Sequence, residues 1–140
     1  MSRFVVDASV AVKWLVPEVH TEAARRTLSG EHELLAPDLI WAEVGSALWK
    51  RWRSGQIGSD TANILLSTFR RAPLQISESK VLMGSAWEIA EQYDRSFYDS
   101  LYLALAVSAG CPLVTADLKL YNRLKTGAFA ERLVWVENTP

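Results

Sequence analysis

Phe4-Val5-Val6-Asp7 and, far downstream, Pro112-Leu113-Val114-Thr115-Ala116-Asp117 decide the reading of this chain. Each is a short apolar run that ends in an aspartate or is followed by one after two intervening residues, as expected of a buried strand delivering a carboxylate at its C-terminal end. In an open parallel sheet the crevice outside the strand carboxyl ends is where ligands and chemistry collect. Working outward from these two runs, short apolar stretches alternate with longer helix-patterned ones. That alternation predicts an α/β fold of three layers, a central, mainly parallel sheet flanked by helices. Strands are expected at Phe4 to Val6, Glu33 to Ala36, Leu74 to Ile76, Leu113 to Thr115 and Leu133 to Val136. Helices are expected over Ser9 to Val16, Thr21 to Leu28, Asp38 to Arg53, Ser59 or Asp60 to Arg71, Ser79 to Tyr93, Ser96 to Ala109 and Leu118 to Lys125. Pro17, Gly30, Gly55, Pro73 and Gly110 supply the stops. With 140 residues and no linker, repeat or low-complexity segment, residues 1–140 are expected to form one domain.

Two further acids, Glu43 and Asp99, fall early in strongly patterned helices, so four carboxylates can converge. Without a basic partner they repel one another unless a cation lies between them. Each also has a purely structural role open to it. Asp7 can cap the helix after its strand, although Ser9 can do so instead and leave Asp7 free. Ser96-Phe97-Tyr98-Asp99 has the spacing of a capping box, Asp117 can cap the helix it precedes, and Glu43 can extend into solvent. Two acids at strand ends and two near helix starts, where the positive dipole end favours anions, favour the functional role. An all-oxygen donor set suits Mg²⁺ or Mn²⁺, whereas zinc recruits His or Cys. His20 and His32 are far from the acids in sequence and are expected at the surface.

Composition removes several classes. The formal charge of −1 provides no overall field for nucleic acid, so phosphate binding has to come from local cations or bound metal. Candidate cations are Lys13, Arg51, Arg53, Arg95, Lys119 and Arg123, most of them expected on a solvated face. A single cysteine, Cys111, excludes an intrachain disulfide and a Cys-rich zinc site. The glycines are scattered, which argues against a phosphate-cradling loop. No run is long enough to span a membrane and the N-terminus has no signal-peptide pattern, so a cytoplasmic protein is expected. A haloacid-dehalogenase-type phosphotransferase needs Asp-x-Asp, but Ser9 stands at the second position; a response-regulator receiver needs a pair of acids where only Asp7 is available.

Phe4-Val5-Val6-Asp7-Ala8-Ser9, Pro37-Asp38-Leu39-Ile40-Trp41-Ala42-Glu43, the stretch Ser96 to Ala106 and Leu113-Val114-Thr115-Ala116-Asp117 together resemble the PIN-domain ribonucleases, and among them the VapC-type toxins of prokaryotic toxin–antitoxin pairs. The resemblance runs in order along almost the whole chain. It implies that Asp7, Glu43, Asp99 and Asp117 are the catalytic acids around Mg²⁺ or Mn²⁺, with Asp7 and Asp99 the strongest ligands. Ser9 and Thr115 would be the hydroxyl residues hydrogen-bonding within the pocket. It further implies a metal-dependent hydrolase cutting RNA phosphodiester bonds, a VapB-type antitoxin as partner and a homodimer. The alternatives are a PIN-like RNA-processing nuclease outside a toxin pair and a non-catalytic partner-binding domain.

The helix Asp38 to Arg53 bears on the last point. Ile40, Val44 and Ala47 make one apolar sector, and Trp41, Leu48, Trp49 and Trp52 widen it beyond what a surface helix needs. Either another chain covers that surface or the domain surrounds it with its own elements.

Overall fold

The computed structural model describes residues 2–140. Five strands, β1 (Ser2–Val6), β2 (His32–Pro37), β3 (Leu74–Ser77), β4 (Leu113–Thr115) and β5 (Leu133–Trp135), pair in parallel in the order β3-β2-β1-β4-β5. The strand order reverses at β1, so the β1–β4 boundary is the switch point of the sheet. Register there sets Val5 opposite Leu113 and Val6 opposite Val114, and the Asp7 N–H donates to the Val114 carbonyl at 3.1 Å. Asp7 and Thr115 are thereby brought side by side.

Side chains alternate across the strands, and the apolar ones pack on both faces because both are covered. Phe4, Val6, Leu34, Ala36 and Val114 point toward α1 (Ala8–Leu15), α2 (Thr21–Arg26), α3 (Leu39–Arg53) and α4 (Ser59–Phe69). Val5, Leu35 and Leu113 point toward α5 (Ser79–Tyr93), α6 (Phe97–Ala109) and α7 (Leu118–Leu124). Ser100 to Ala106 are all buried, so α6 is enclosed on every side, as a helix apolar around its whole circumference must be. Gly110, left-handed at φ 65°, ends it and turns the chain toward β4.

Most boundaries shift by one or two residues from the sequence expectation, and four of the shifts are instructive. α1 starts at Ala8, which puts Ser9 inside the helix instead of at its cap. α2 stops at Arg26 because the buried Thr27 hydroxyl donates to the Ala24 carbonyl at 2.7 Å and accepts the Trp14 indole N–H at 3.1 Å. β2 is longer than its apolar centre. It begins at the polar His32 and Glu33, and Glu33 pairs across the ladder with Arg3 at 3.0 Å. Gly58, not Ser59 or Asp60, holds the cap position of α4, which ends at Phe69.

Candidate active site

The extended backbone of Asp7 places it at the N-cap position of α1, and its carbonyl accepts from the N–H groups of Val10 (3.0 Å) and Ala11 (3.3 Å). Its carboxylate caps nothing. Oδ2 instead accepts from the Ser9 hydroxyl at 2.9 Å and the Thr115 hydroxyl at 2.8 Å. Ser9 Oγ in turn accepts the Ala116 N–H, and Thr115 Oγ1 the Asp117 N–H, both at 3.0 Å. Two short relays therefore tie Asp7 to the backbone following β4. Ser9 acts in this relay and not as the alternative cap, a role it loses by lying inside α1.

Glu43 sits in the second turn of α3, half-buried, and its Oε1 accepts from the Tyr102 phenol at 2.7 Å. Asp99, also half-buried, lies in the first turn of α6, where its own N–H donates to the Ser96 hydroxyl at 3.1 Å. The Ser96 half of the capping box is made, leaving the Asp99 carboxylate to face the crevice. Asp117 does cap its helix: Oδ1 accepts from the N–H groups of Lys119 (3.0 Å) and Leu120 (3.2 Å), and its side chain is exposed. All four acids line one crevice of about 310 Å³ with Ser9, Lys13, Glu18 and Arg51. Among the described residues, none of the four acids is in a salt bridge.

The charge balance is strained accordingly. Burial raises the carboxyl of Asp7 above its ordinary value despite the bonds from Thr115 and Ser9, and Asp99 and Asp117 push it in the same direction. Burial raises Glu43 too, against the pull of Tyr102, with Asp7 and Asp99 adding repulsion. Asp99 is raised by burial and by Asp117, partly offset by Ser96 and by the charges of Arg95 and Arg123. Burial and the neighbouring acids hold the Tyr102 phenol protonated, so it can only donate to Glu43. Among the described residues, no three carboxylate, imidazole or thiol groups are gathered tightly enough to cage an ion. The acids of the crevice are an all-oxygen donor set with no histidine or thiol among the described residues that line it, a chemistry that suits Mg²⁺ or Mn²⁺ and not zinc.

The histidines, expected at the surface, are half-buried. His20 bonds Glu137 and meets Trp135 edge-on, His32 packs against Phe4, and neither lines the crevice. Of the six candidate cations, most of them expected on a solvated face, Lys13 is buried. The residues that sequence reasoning missed are Tyr102 and Glu18. Tyr102 follows Asp99 by three positions, a spacing that sets both on one helical face and could have pointed to it.

Comparison with known proteins follows the same lines. The PIN domain model matches residues 4–125. The chain is 35% identical over 124 residues to Ribonuclease VapC3 of Pyrobaculum aerophilum, covering 86% of this chain and 94% of that one. The crystal structure of PAE2754 from Pyrobaculum aerophilum superposes with a TM-score of 0.73 at 25% identity, over 97% of this chain and 85% of that one. A toxin–antitoxin complex from Klebsiella pneumoniae shares the fold, with a TM-score of 0.63 at 16% identity over 99% of this chain and 100% of that one. The chain belongs to the PIN-domain family and, within it, to the VapC ribonucleases.

Proposed function

We propose that the chain is a metal-dependent endoribonuclease serving as the toxin of a toxin–antitoxin pair. The observation that carries this reading is the crevice at the β1–β4 switch point, which four acids line without a bonded cation. Family membership supplies the reaction class, hydrolysis of an RNA phosphodiester. In the proposed site Asp7 and Asp99 would be the main ligands of a Mg²⁺ or Mn²⁺ ion, with Glu43 and Asp117 completing the acidic ring; bound there, the ion would supply neutralisation of the carboxylates, a lowered pKa for water and charge stabilisation at the phosphoryl oxygens.

The chain's own groups do the rest. Ser9 and Thr115 fix Asp7 through Oδ2, so its other oxygen has no hydroxyl to satisfy it. Tyr102 fixes Glu43 through Oε1. Glu43, with its carboxyl raised by burial, is suited to take the proton of the attacking water, since a base titrating nearer the working pH transfers protons more efficiently. A VapB-type antitoxin, a homodimer and a cytoplasmic site of action belong to the same proposal. No helix among the described residues is long and apolar enough to cross a membrane. The test is cleavage of single-stranded RNA by the purified chain with Mg²⁺ or Mn²⁺. Cleavage should stop in chelator and in Asp99→Asn with the circular dichroism spectrum unchanged; cutting that survives either change overturns the reading.

A further inference from the structure

Two cations stand at one end of the acidic crevice without being drawn onto its four acids. Lys13 lies one turn beyond Ser9 on α1 and is only 8% exposed. Arg51 lies two turns beyond Glu43 on α3, about 12 Å along the helix axis. Both turn to a single carboxylate outside the acid ring. Lys13 Nζ donates to Glu18 Oε1 at 3.2 Å, and the Arg51 guanidinium donates through one terminal nitrogen to Oε1 at 3.3 Å and Oε2 at 3.0 Å. The other terminal nitrogen of Arg51 donates to the Ala47 carbonyl at 3.0 Å. Glu18 is itself fixed from its backbone: its N–H donates to the Thr21 hydroxyl at 2.9 Å, and that hydroxyl donates to the Val16 carbonyl at 3.2 Å.

The cluster is unbalanced in charge. Two cations face one anion, so a partly buried group carries a surplus positive charge, although one cation would neutralise Glu18. Arg51 Nε is closed off from the crevice, so what Arg51 offers there is its charge and its terminal nitrogens. A surplus charge in the wall of an acid-lined crevice calls for a further anion. The anion that a nuclease brings along such a crevice is a phosphodiester.

We propose that Lys13 and Arg51 form a phosphate clamp for the RNA strand, taking a phosphate next to the one being cut, with Glu18 as the counter-ion that orients both cations and offsets part of their charge. The clamp rests on the nuclease reading above. Glu18 is a positioning residue in this scheme, and the charge of the three-residue cluster sets the affinity for the strand.

The test is a charge series in the Asp99→Asn background with Mg²⁺, so that the probe stays intact. Fluorescence anisotropy of a short fluorescein-labelled oligouridylate is read over a range of salt concentrations. Arg51→Gln removes the surplus charge and should weaken binding about tenfold. It should also flatten the slope of log affinity against log salt by about 0.7, the value of one single-strand phosphate contact. Glu18→Gln, nearly isosteric, frees both cations and should tighten binding and steepen the slope. A merely structural Glu18 would give the opposite sign or no change, and this arm stays decisive if Arg51→Gln folds poorly. Weaker binding in Glu18→Gln, affinities within about twofold of the parent throughout, or no measurable RNA binding by the parent would each overturn the clamp. The nuclease reading is judged separately by cleavage in the unsubstituted chain: cutting without the charge order removes the clamp alone, and the charge order without cutting removes the nuclease and leaves a clamp for nucleic acid.

Discussion

At the scale of the residue, the site is built from acids that the fold makes uncomfortable. Asp7, Glu43 and Asp99 all titrate above their ordinary values in the folded chain, with burial as the largest cause in each case. Unfolded carboxylates titrate near pH 4. Between that value and the raised folded values, the folded state holds more protons than the unfolded one, so stability falls as pH rises through the window. We therefore predict that the metal-free chain melts at a lower temperature at neutral pH than just above pH 4. Asp7→Asn should flatten that decline and raise the neutral-pH melting temperature by a few degrees, and Mg²⁺ should restore part of the loss in the parent. A melting temperature that climbs steadily from pH 4 to 7 without metal would contradict this. Tyr102 offers a second test. Its phenol lowers the Glu43 carboxyl, so Tyr102→Phe should move the acid limb of the pH–rate profile upward. Cleavage should slow about tenfold, as for other groups that orient a ligand from behind, and the lost hydrogen bond should cost only about 1 kcal/mol of stability. An unshifted limb would remove Tyr102 from the mechanism.

At the scale of the element, α6 links the core to the site. Its buried run from Ser100 to Ala106 anchors it under the sheet, Asp99 in its first turn lines the crevice, and the buried Tyr102 reaches the site through Glu43. Leu103 is 1% exposed, so Leu103→Ala should cost about 2–5 kcal/mol through a cavity. Gly110 stops the helix at φ 65° with open space where a methyl group would stand, so Gly110→Ala should cost about 1 kcal/mol for conformational reasons alone. Urea denaturation of the two variants checks both values; equal costs would mean that the α6–β4 turn matters as much as the packing of α6 and would contradict this order. These elements are readable because their signals are local: Ser96 and Gly110 bracket α6, and apolar runs mark β1 and β4. What stays hidden depends on contacts distant in sequence. Nothing near Lys13 announces that Arg51 will share its carboxylate, and nothing near Ser9 announces that the N–H of Ala116 will claim its hydroxyl. The start of β2 is hard to read because its first residues are polar, yet pairing with Arg3 carries the ladder through them.

At the scale of the whole molecule, a sheet covered on both faces leaves little reason for large apolar side chains at the surface. α3 and α4 nevertheless keep them there, with Trp49 at 56%, Trp52 at 42%, Ile64 at 64% and Leu66 at 42% exposure. Ile40, Val44 and Leu48 supply the buried face of α3, so the tryptophans are surplus to the core that the helix serves. Between the two helices runs an apolar groove of about 390 Å³ lined by Gly45, Leu48, Trp49, Trp52, Ala62 and Leu66. Trp52 is oriented across it by donating its indole N–H to Ser59 at 3.0 Å. Aromatic side chains poised in this way are what interface hot spots are made of. We predict that a second copy of the chain covers this groove, and that replacing Trp49 with Ser and Trp52 with Gln shifts sedimentation velocity from dimer to monomer. Each tryptophan would cost about 3–5 kcal/mol to remove if it belonged to the core of one chain, whereas an exposed position costs about 0.5 kcal/mol or less. The melting temperature of the doubly substituted monomer therefore separates the two cases. Little change in melting together with loss of the dimer places the tryptophans at the interface, and the groove then joins two acidic crevices in one particle. A steep fall in melting temperature with the dimer intact assigns them to the core of the single chain and removes the interface from α3 and α4.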